Sequence, residues 1–193
     1  MRKKIAILGS TGSIGKSLLK IIKKDQKNFQ IKLLSANKNY SQLLKQAKFF
    51  KVKNVIITNK RAFLKSKSAF KKNKINAYDN YNNMNKFLNS KLDYVMSSIV
   101  GLEGLVPTFK IIKHTKNIAI ANKESIICAW NLIKKELNKN KTKFIPVDSE
   151  HFSIWYAINN NHHKNIKKIY LTASGGPLLN VPIKKFNKLK IKN

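Results

Sequence analysis

Short apolar runs alternate with longer amphipathic segments along most of this chain, and that alternation leaves few folds open. Residues 4–8 form a short run, apolar from Ile5 onward, that stops at Gly9, as a buried parallel strand does. Residues 15–24 then repeat apolar side chains at Leu18, Leu19, Ile21 and Ile22 with lysines between them, the pattern of a helix lying on a sheet. Further strands are predicted at 31–36, 54–58, 92–96, 117–121 and 144–147, and helices at 40–50, 61–72, 84–89, 105–114 and 125–138. The asparagine-rich stretch 80–85 reads as a loop. Repeated strand–helix units demand a mostly parallel sheet covered by helices on both faces. After Val147 the pattern changes: a helix is predicted over 152–159, a strand over 166–173, and a lysine-rich helix start from Pro182. The expected class is α/β, a doubly wound, mostly parallel sheet over residues 1–145. The start of a second, α+β domain is expected at 146–193.

Charge constrains function less than its size implies. The chain carries 40 Lys plus Arg against 8 Asp plus Glu, a formal net charge of +32. A basic nucleic-acid-binding protein is one class such a balance admits. Only Arg2 and Arg61 are arginines, however, and arginine is the residue suited to bidentate phosphate and base contacts. The lysines are spread along the chain among many Asn and Ile, and all three residue types have codons built only from A and T. An AT-rich genome therefore accounts for the charge, and no nucleic-acid partner is expected. The field would still steer small phosphorylated molecules. No apolar run approaches the roughly 20 residues that cross a bilayer. The apolar stretch after Met1-Arg2-Lys3-Lys4 breaks at Gly9, too early for a secretory signal. The single Cys128 cannot form an internal disulfide. A cytoplasmic protein with no membrane partner is expected.

Five motifs carry chemistry. Gly9-Ser10-Thr11-Gly12-Ser13-Ile14-Gly15 joins the first strand to the first helix, where glycines let the backbone approach a pyrophosphate and the helix end supplies N–H donors. A glycine turn needed only for strand–helix packing is the alternative. Asn37-Lys38-Asn39 ends the second strand, where NAD-specific enzymes place a carboxylate against the ribose; a cation flanked by amides suits a 2′-phosphate, and so NADPH. Asn122-Lys123-Glu124 follows another strand, at the edge where ligands bind; it reads equally as a loop before a capped helix. Pro146-Val147-Asp148-Ser149-Glu150-His151 places two of the scarce acids together. In an extended segment Asp148 and Glu150 would face one hard cation, Mg²⁺ or Mn²⁺; at a helix start Asp148 or Ser149 would be the N-cap and Glu150 a first-turn acid. Ser174, in Thr172-Ala173-Ser174-Gly175-Gly176-Pro177, suits a phosphate or a plain turn.

In order and spacing these motifs resemble the 1-deoxy-D-xylulose 5-phosphate reductoisomerases, over essentially the whole chain. The residues that carry the resemblance are GSTGSIG at 9–15, SSIVGLEGL at 97–105, ANKES at 121–125, PVDSEH at 146–151 and SGGP at 174–177. The resemblance implies a Rossmann-like NADPH domain and a metal-assisted isomerisation followed by reduction, giving 2-C-methyl-D-erythritol 4-phosphate in the non-mevalonate isoprenoid route. It implies that Thr11, Gly12, Ser13 and Ile14 hold the NADPH pyrophosphate and that Asn37, Lys38 and Asn39 surround the 2′-phosphate. Asn122 and Glu124 would contact the cofactor and Lys123 the substrate, with Lys123 and Glu150 the catalytic pair. Asp148 and Glu150 would bind the metal, Ser149 and Glu150 the sugar phosphate, and Ser174 its phosphate. Asn37 and the pair Ala129-Trp130 depart from the family pattern. The family continues with further substrate and metal residues and a helical domain after the point matching Asn193, so a fragment with little or no turnover alone is expected, from a protein that is a homodimer at full length. Rival classes are another NAD(P)-binding oxidoreductase of the same fold and the basic nucleic-acid-binding protein.

Overall fold

The computed structural model of the chain describes residues 1–159, 166–170 and 181–188. It divides into two compact units, Met1–Val147 and Asp148–Asn193. The first unit runs β1 (Lys3–Leu8), α1 (Ser13–Lys24), β2 (Phe29–Ala36), α2 (Tyr40–Phe49), β3 (Asn54–Ile57), α3 (Lys60–Lys72) and β4 (Asn76–Tyr78). It continues with β5 (Tyr94–Ser97), α4 (Leu105–Ile112), β6 (Asn117–Ile120), α5 (Lys123–Asn140) and β7 (Lys143–Pro146). The seven strands form one sheet in the order β4-β3-β2-β1-β5-β6-β7, and every neighbouring pair is parallel.

The chain travels outward from β1 to β4, then returns to the other side of β1 and travels outward again to β7. Right-handed crossovers put helices on opposite faces when the direction of travel reverses. Accordingly Leu19, Ile22, Leu43, Ala47, Ala62 and Phe70 of α1, α2 and α3 pack with Ile5 and Ile7 in one core. Ile111, Ile112, Ile133 and Leu137 of α4 and α5 pack with Ala6 and Leu8 in the other. Successive residues of β1 thus serve opposite faces, as the two-residue period of a strand requires. Each fully buried Ile, Leu or Phe contributes about 2 kcal/mol to holding these layers together.

Several expectations are corrected. The helix predicted at 84–89 is only a 3₁₀ turn, Met84–Lys86, and the stretch around it is more than a surface loop. Tyr81, Met84 and Leu88 are buried in the second core, while Asn80, Asn82, Asn83 and Asn85 are exposed. The asparagines hid the inward-facing residues in the sequence. Edge strand β4 has three residues, too few to show a period. Leu92 makes only an isolated bridge to Thr115, so β5 begins two residues later than predicted.

In the second unit, α6 (Ser149–Asn159) starts before the predicted residue 152 and buries none of its side chains. Residues 166–170 do not form a strand, and the rest of the strand predicted at 166–173 lies outside the described residues. An apolar run becomes a strand only with a ladder partner, which local pattern cannot supply. A 3₁₀ helix covers Ile183–Lys188 where a helix start was expected. Among the described residues no helix is long and apolar enough to cross a membrane.

Candidate functional site

The reversal of travel makes β1 and β5 the switch point of the sheet, and the loops at their carboxyl ends border the crevice where doubly wound sheets bind ligands. β1 runs into Gly9, which has φ +80°. A Cβ there would lie 2.8 Å from the Ser98 carbonyl oxygen, so both the dihedral and the close approach require glycine. Gly15 is constrained by approach alone. Its Cβ would lie 2.5 Å from the Gly9 carbonyl oxygen and 2.6 Å from Ser10 Cα. Between them Gly12 donates its N–H to the Gly9 carbonyl at 3.0 Å and stands as N-cap of α1 with no side chain to cap the helix. The first turn holds no acidic residue. The N–H groups of the Ser13-Ile14-Gly15 turn therefore have neither an intrahelical acceptor nor a local counter-charge, and the positive end of the helix dipole faces outward. That is a fit for a diphosphate. Thr11 is half-buried beside it, and Ser13 and Ile14 are exposed.

A buried polar network fixes the turn from below, and the motif pattern does not reveal it. Ser35, 0% exposed, accepts the Gly9 N–H on its Oγ at 3.1 Å. The Tyr81 hydroxyl donates to the same oxygen at 2.7 Å. The Ser10 N–H donates to the Ser35 carbonyl at 2.8 Å. Gln46 of α2 brackets Ser10: its Oε1 accepts from Ser10 Oγ at 2.8 Å and its Nε2 donates to the Ser10 carbonyl at 2.9 Å. Ser98 Oγ donates to the Leu8 carbonyl at 2.8 Å. Burial pushes the Tyr81 phenol far above its ordinary range despite the Ser35 bond, so it remains a neutral donor. A serine at the apolar end of β2, and a tyrosine set between asparagines, were the available signals.

At the end of β2, Asn37, Lys38 and Asn39 are all exposed. Asn39 is already engaged: its Oδ1 accepts the Gln42 N–H at 3.1 Å as the N-cap of α2, and its Nδ2 donates to Gln42 Oε1 at 3.1 Å. The cation of the trio, Lys38, stands exposed beside it.

At the end of β6, Asn122 is 2% exposed and caps α5, accepting the Ser125 N–H on Oδ1 at 2.5 Å. Its amide nitrogen donates to the carbonyls of Ile99 and Gly101. The side chain expected to touch the cofactor is thus used inside the protein. Lys123 is exposed at the first position of α5, and Glu124 is half-buried in its first turn.

In the second unit, Asp148 Oδ1 accepts the His151 N–H at 2.9 Å and lies 2.5 Å from His151 Nδ1. This is N-cap geometry, with Glu150 in the first turn of α6 and Ser149 Oγ donating to Glu150 Oε2 at 2.9 Å. The extended arrangement imagined for Asp148 and Glu150 is not present, because the helix begins at Ser149. Burial raises the Asp148 carboxyl, but its bonds to His151 and the attraction of that ring outweigh this and hold it below the ordinary carboxylate range. Among the described residues no three His, Cys, Asp or Glu side chains gather as a metal cage. Ser174 lies outside the described residues.

Two sequence profiles match the chain: 1-deoxy-D-xylulose 5-phosphate reductoisomerase over residues 5–130 and the C-terminal domain of the same enzyme over residues 144–193. The chain belongs to the 1-deoxy-D-xylulose 5-phosphate reductoisomerase family. The reductoisomerase of Pelagibacter ubique is 59% identical over 193 residues, covering 99% of this chain and 50% of that protein. That of Clostridium tetani is 43% identical over 178 residues, covering 91% and 46%. The chain therefore spans about half the length of the curated relatives it matches. Among solved structures, the Zymomonas mobilis reductoisomerase in complex with NADPH superposes with a TM-score of 0.71 at 31% identity, covering 78% of this chain and 40% of that one. A reductoisomerase in complex with NADPH, fosmidomycin and magnesium gives a TM-score of 0.77 at 30% identity, covering 97% and 49%. Membership in the reductoisomerase family sets aside the rival oxidoreductases that share only the first turn.

Proposed function

We propose that this chain forms the NADPH-binding part, and the start of the metal-binding part, of an enzyme converting 1-deoxy-D-xylulose 5-phosphate to 2-C-methyl-D-erythritol 4-phosphate. The observation that carries this reading is the uncapped, acid-free amino end of α1 standing on a rigid glycine turn at the switch point. Thr11, Gly12, Ser13 and Ile14 would hold the pyrophosphate through that helix end. Asn37 and Lys38 would receive the 2′-phosphate, with Asn39 ordering the start of α2 beside them. Glu124 would lie along the cofactor. When bound, NADPH supplies hydride and Mg²⁺ or Mn²⁺ polarises the substrate oxygens.

The exposed Lys123 ammonium would neutralise charge gathering on a substrate oxygen. Asp148 and Glu150 offer carboxylate oxygens that suit a hard cation, leaving other positions to water and substrate. Ser149 would orient substrate hydroxyls, and Ser174 would take the substrate phosphate. Residues 1–145 would act as the cofactor domain and 146–193 as the beginning of the catalytic domain. By itself the chain would bind NADPH but turn over little or no substrate, since it spans about half the length of its relatives and α6 buries none of its side chains.

The test is a titration of the chain with NADPH and with NADH, followed by cofactor fluorescence. Saturable binding with about a tenfold or greater preference for NADPH is expected, as one charge-assisted phosphate contact provides. Lys38→Asp with Asn37→Ala removes the preference. A folded chain that binds neither cofactor overturns the reading.

A further inference from the structure

Three loops at the carboxyl edge of the sheet meet around one buried amide. Gly9 approaches Ser98 so closely that a Cβ would lie 3.2 Å from the Ile99 nitrogen; the loop after β5 is thus the wall against which the glycine turn rests. That wall is tied to the next loop by Asn122. Its Nδ2 donates to the Ile99 carbonyl at 2.6 Å and to the Gly101 carbonyl at 2.7 Å. Its Oδ1 holds the start of α5 through the Ser125 N–H. Both amide protons and one acceptor site are engaged at once, which also fixes the orientation of the amide. Gly104 closes the arrangement from the far side: a Cβ there would lie 2.6 Å from the Ile99 carbonyl oxygen and 2.9 Å from Asn122 Nδ2. Ile99 packs on the second core, but Val100 and Leu102 are exposed, so the middle of the wall has little apolar packing to hold its shape.

We infer that Asn122 is a positioning residue for the nicotinamide side of the cofactor crevice: through its amide it sets the loop from Ile99 to Gly104. The assignment of sides follows from topology. The adenosine half of a dinucleotide lies toward β2 and the pyrophosphate over the β1 turn, so the other half extends over β5 and β6, where this latch sits. The inference rests on the NADPH reading for its ligand but not for its structural content, and the two are separable by experiment.

The variant is Asn122→Asp, which keeps the N-cap acceptor but replaces both donors with an oxygen facing two carbonyls. Hydrogen exchange of the cofactor-free chain is read first. Amides from Gly101 to Leu105 are expected to exchange about tenfold faster or more, as loss of two buried hydrogen bonds implies, while α1, α2 and α3 keep native protection. Binding is read second. NADPH affinity falls about tenfold or more, whereas adenosine 2′,5′-bisphosphate, which carries only the adenosine half, binds as to the native chain. A merely structural role would weaken both ligands together.

Native exchange in the loop combined with lost NADPH binding overturns the inference and makes Asn122 a direct ligand. Equal loss of both ligands overturns it as well. Should Asn122→Asp fail to fold, Gly104→Ala strains the same latch from the other side and is expected to give the same exchange pattern; native exchange there refutes the latch. If no variant and no native chain binds NADPH, the cofactor reading fails while the exchange result still decides the latch.

Discussion

The glycine turn after β1 and the first turn of α6 are both helix beginnings with a motif, yet they are built in opposite ways. The turn is held by backbone contacts too tight for any side chain, by a hydrogen bond from Gly9 to Ser35 and one from Gln46 to Ser10, with Tyr81 donating to Ser35 beneath. Its helix end is left without acid or cap. The first turn of α6 supplies its own acids: Asp148 caps it and Glu150 lies within it, while the helix buries none of its residues. One site is rigid and electrically unfilled, which suits an incoming anion. The other carries its charge already and is held by local bonds.

Breaking the rigid side costs most. Gly15→Ala forces a methyl against the Gly9 carbonyl and is expected to destabilise the first unit by about 3 kcal/mol and to abolish NADPH binding. A urea midpoint and a fluorescence titration check both, and native values would show that the turn yields easily. Tyr81→Phe removes one buried donor to Ser35 and is expected to cost about 1–2 kcal/mol by the same urea measurement. An unchanged midpoint would mean the network beneath the turn is incidental.

On the locally held side the effects are smaller. Asp148→Ala removes an N-cap and is expected to weaken α6 by about 1 kcal/mol, seen as lost helicity by circular dichroism with the urea midpoint of the first unit unchanged. A joint loss in both would contradict the contrast drawn between them.

The smallest expected effect is one of acidity. The hydrogen bond from Lys116, followed by that from the Lys4 backbone, holds Asp93 below the ordinary carboxylate range. A group bound this way stabilises the fold above the unfolded value of about 3.9 and loses that contribution as pH falls through its lowered folded value. The urea midpoint of the first unit should therefore be flat in this respect from neutrality to about pH 4 and decline below it, and Asp93→Asn should shallow the decline. A decline equally steep in the variant would assign the acid sensitivity elsewhere.

The same contrast explains what could be read in advance. The alternation that predicted the sheet and the spacing that predicted the glycine turn are local patterns, and they survive in the structure because tertiary packing agrees with them. The Tyr81–Ser35 bond joins residues 46 positions apart, and no local pattern reports such a pair. Asn122 was legible as a site residue and as a helix cap, but its bonds to Ile99 and Gly101 were not, since a side chain that reaches two backbone carbonyls looks in sequence like any loop asparagine. Asp148 and Glu150 were open to two readings, and the helix start chose the capping geometry because the N–H of His151 lies within reach. The strand expected at 166–173 rested on composition alone and had no partner in view.

The return of the chain from β4 to the centre of the sheet also has a temporal side. β1 acquires β2 as soon as the first crossover is made, but its other neighbour, β5, is remote: the bond that anchors their start, from the Lys4 N–H to Asp93, spans 89 positions. A ribosome delivering this chain therefore releases β1 to β4 as a sheet with an unpaired central edge, a state open to mispairing until β5 arrives. The glycine turn has no wall to rest against before that moment. Cofactor capture by a nascent chain would thus report that the two halves of the sheet have met.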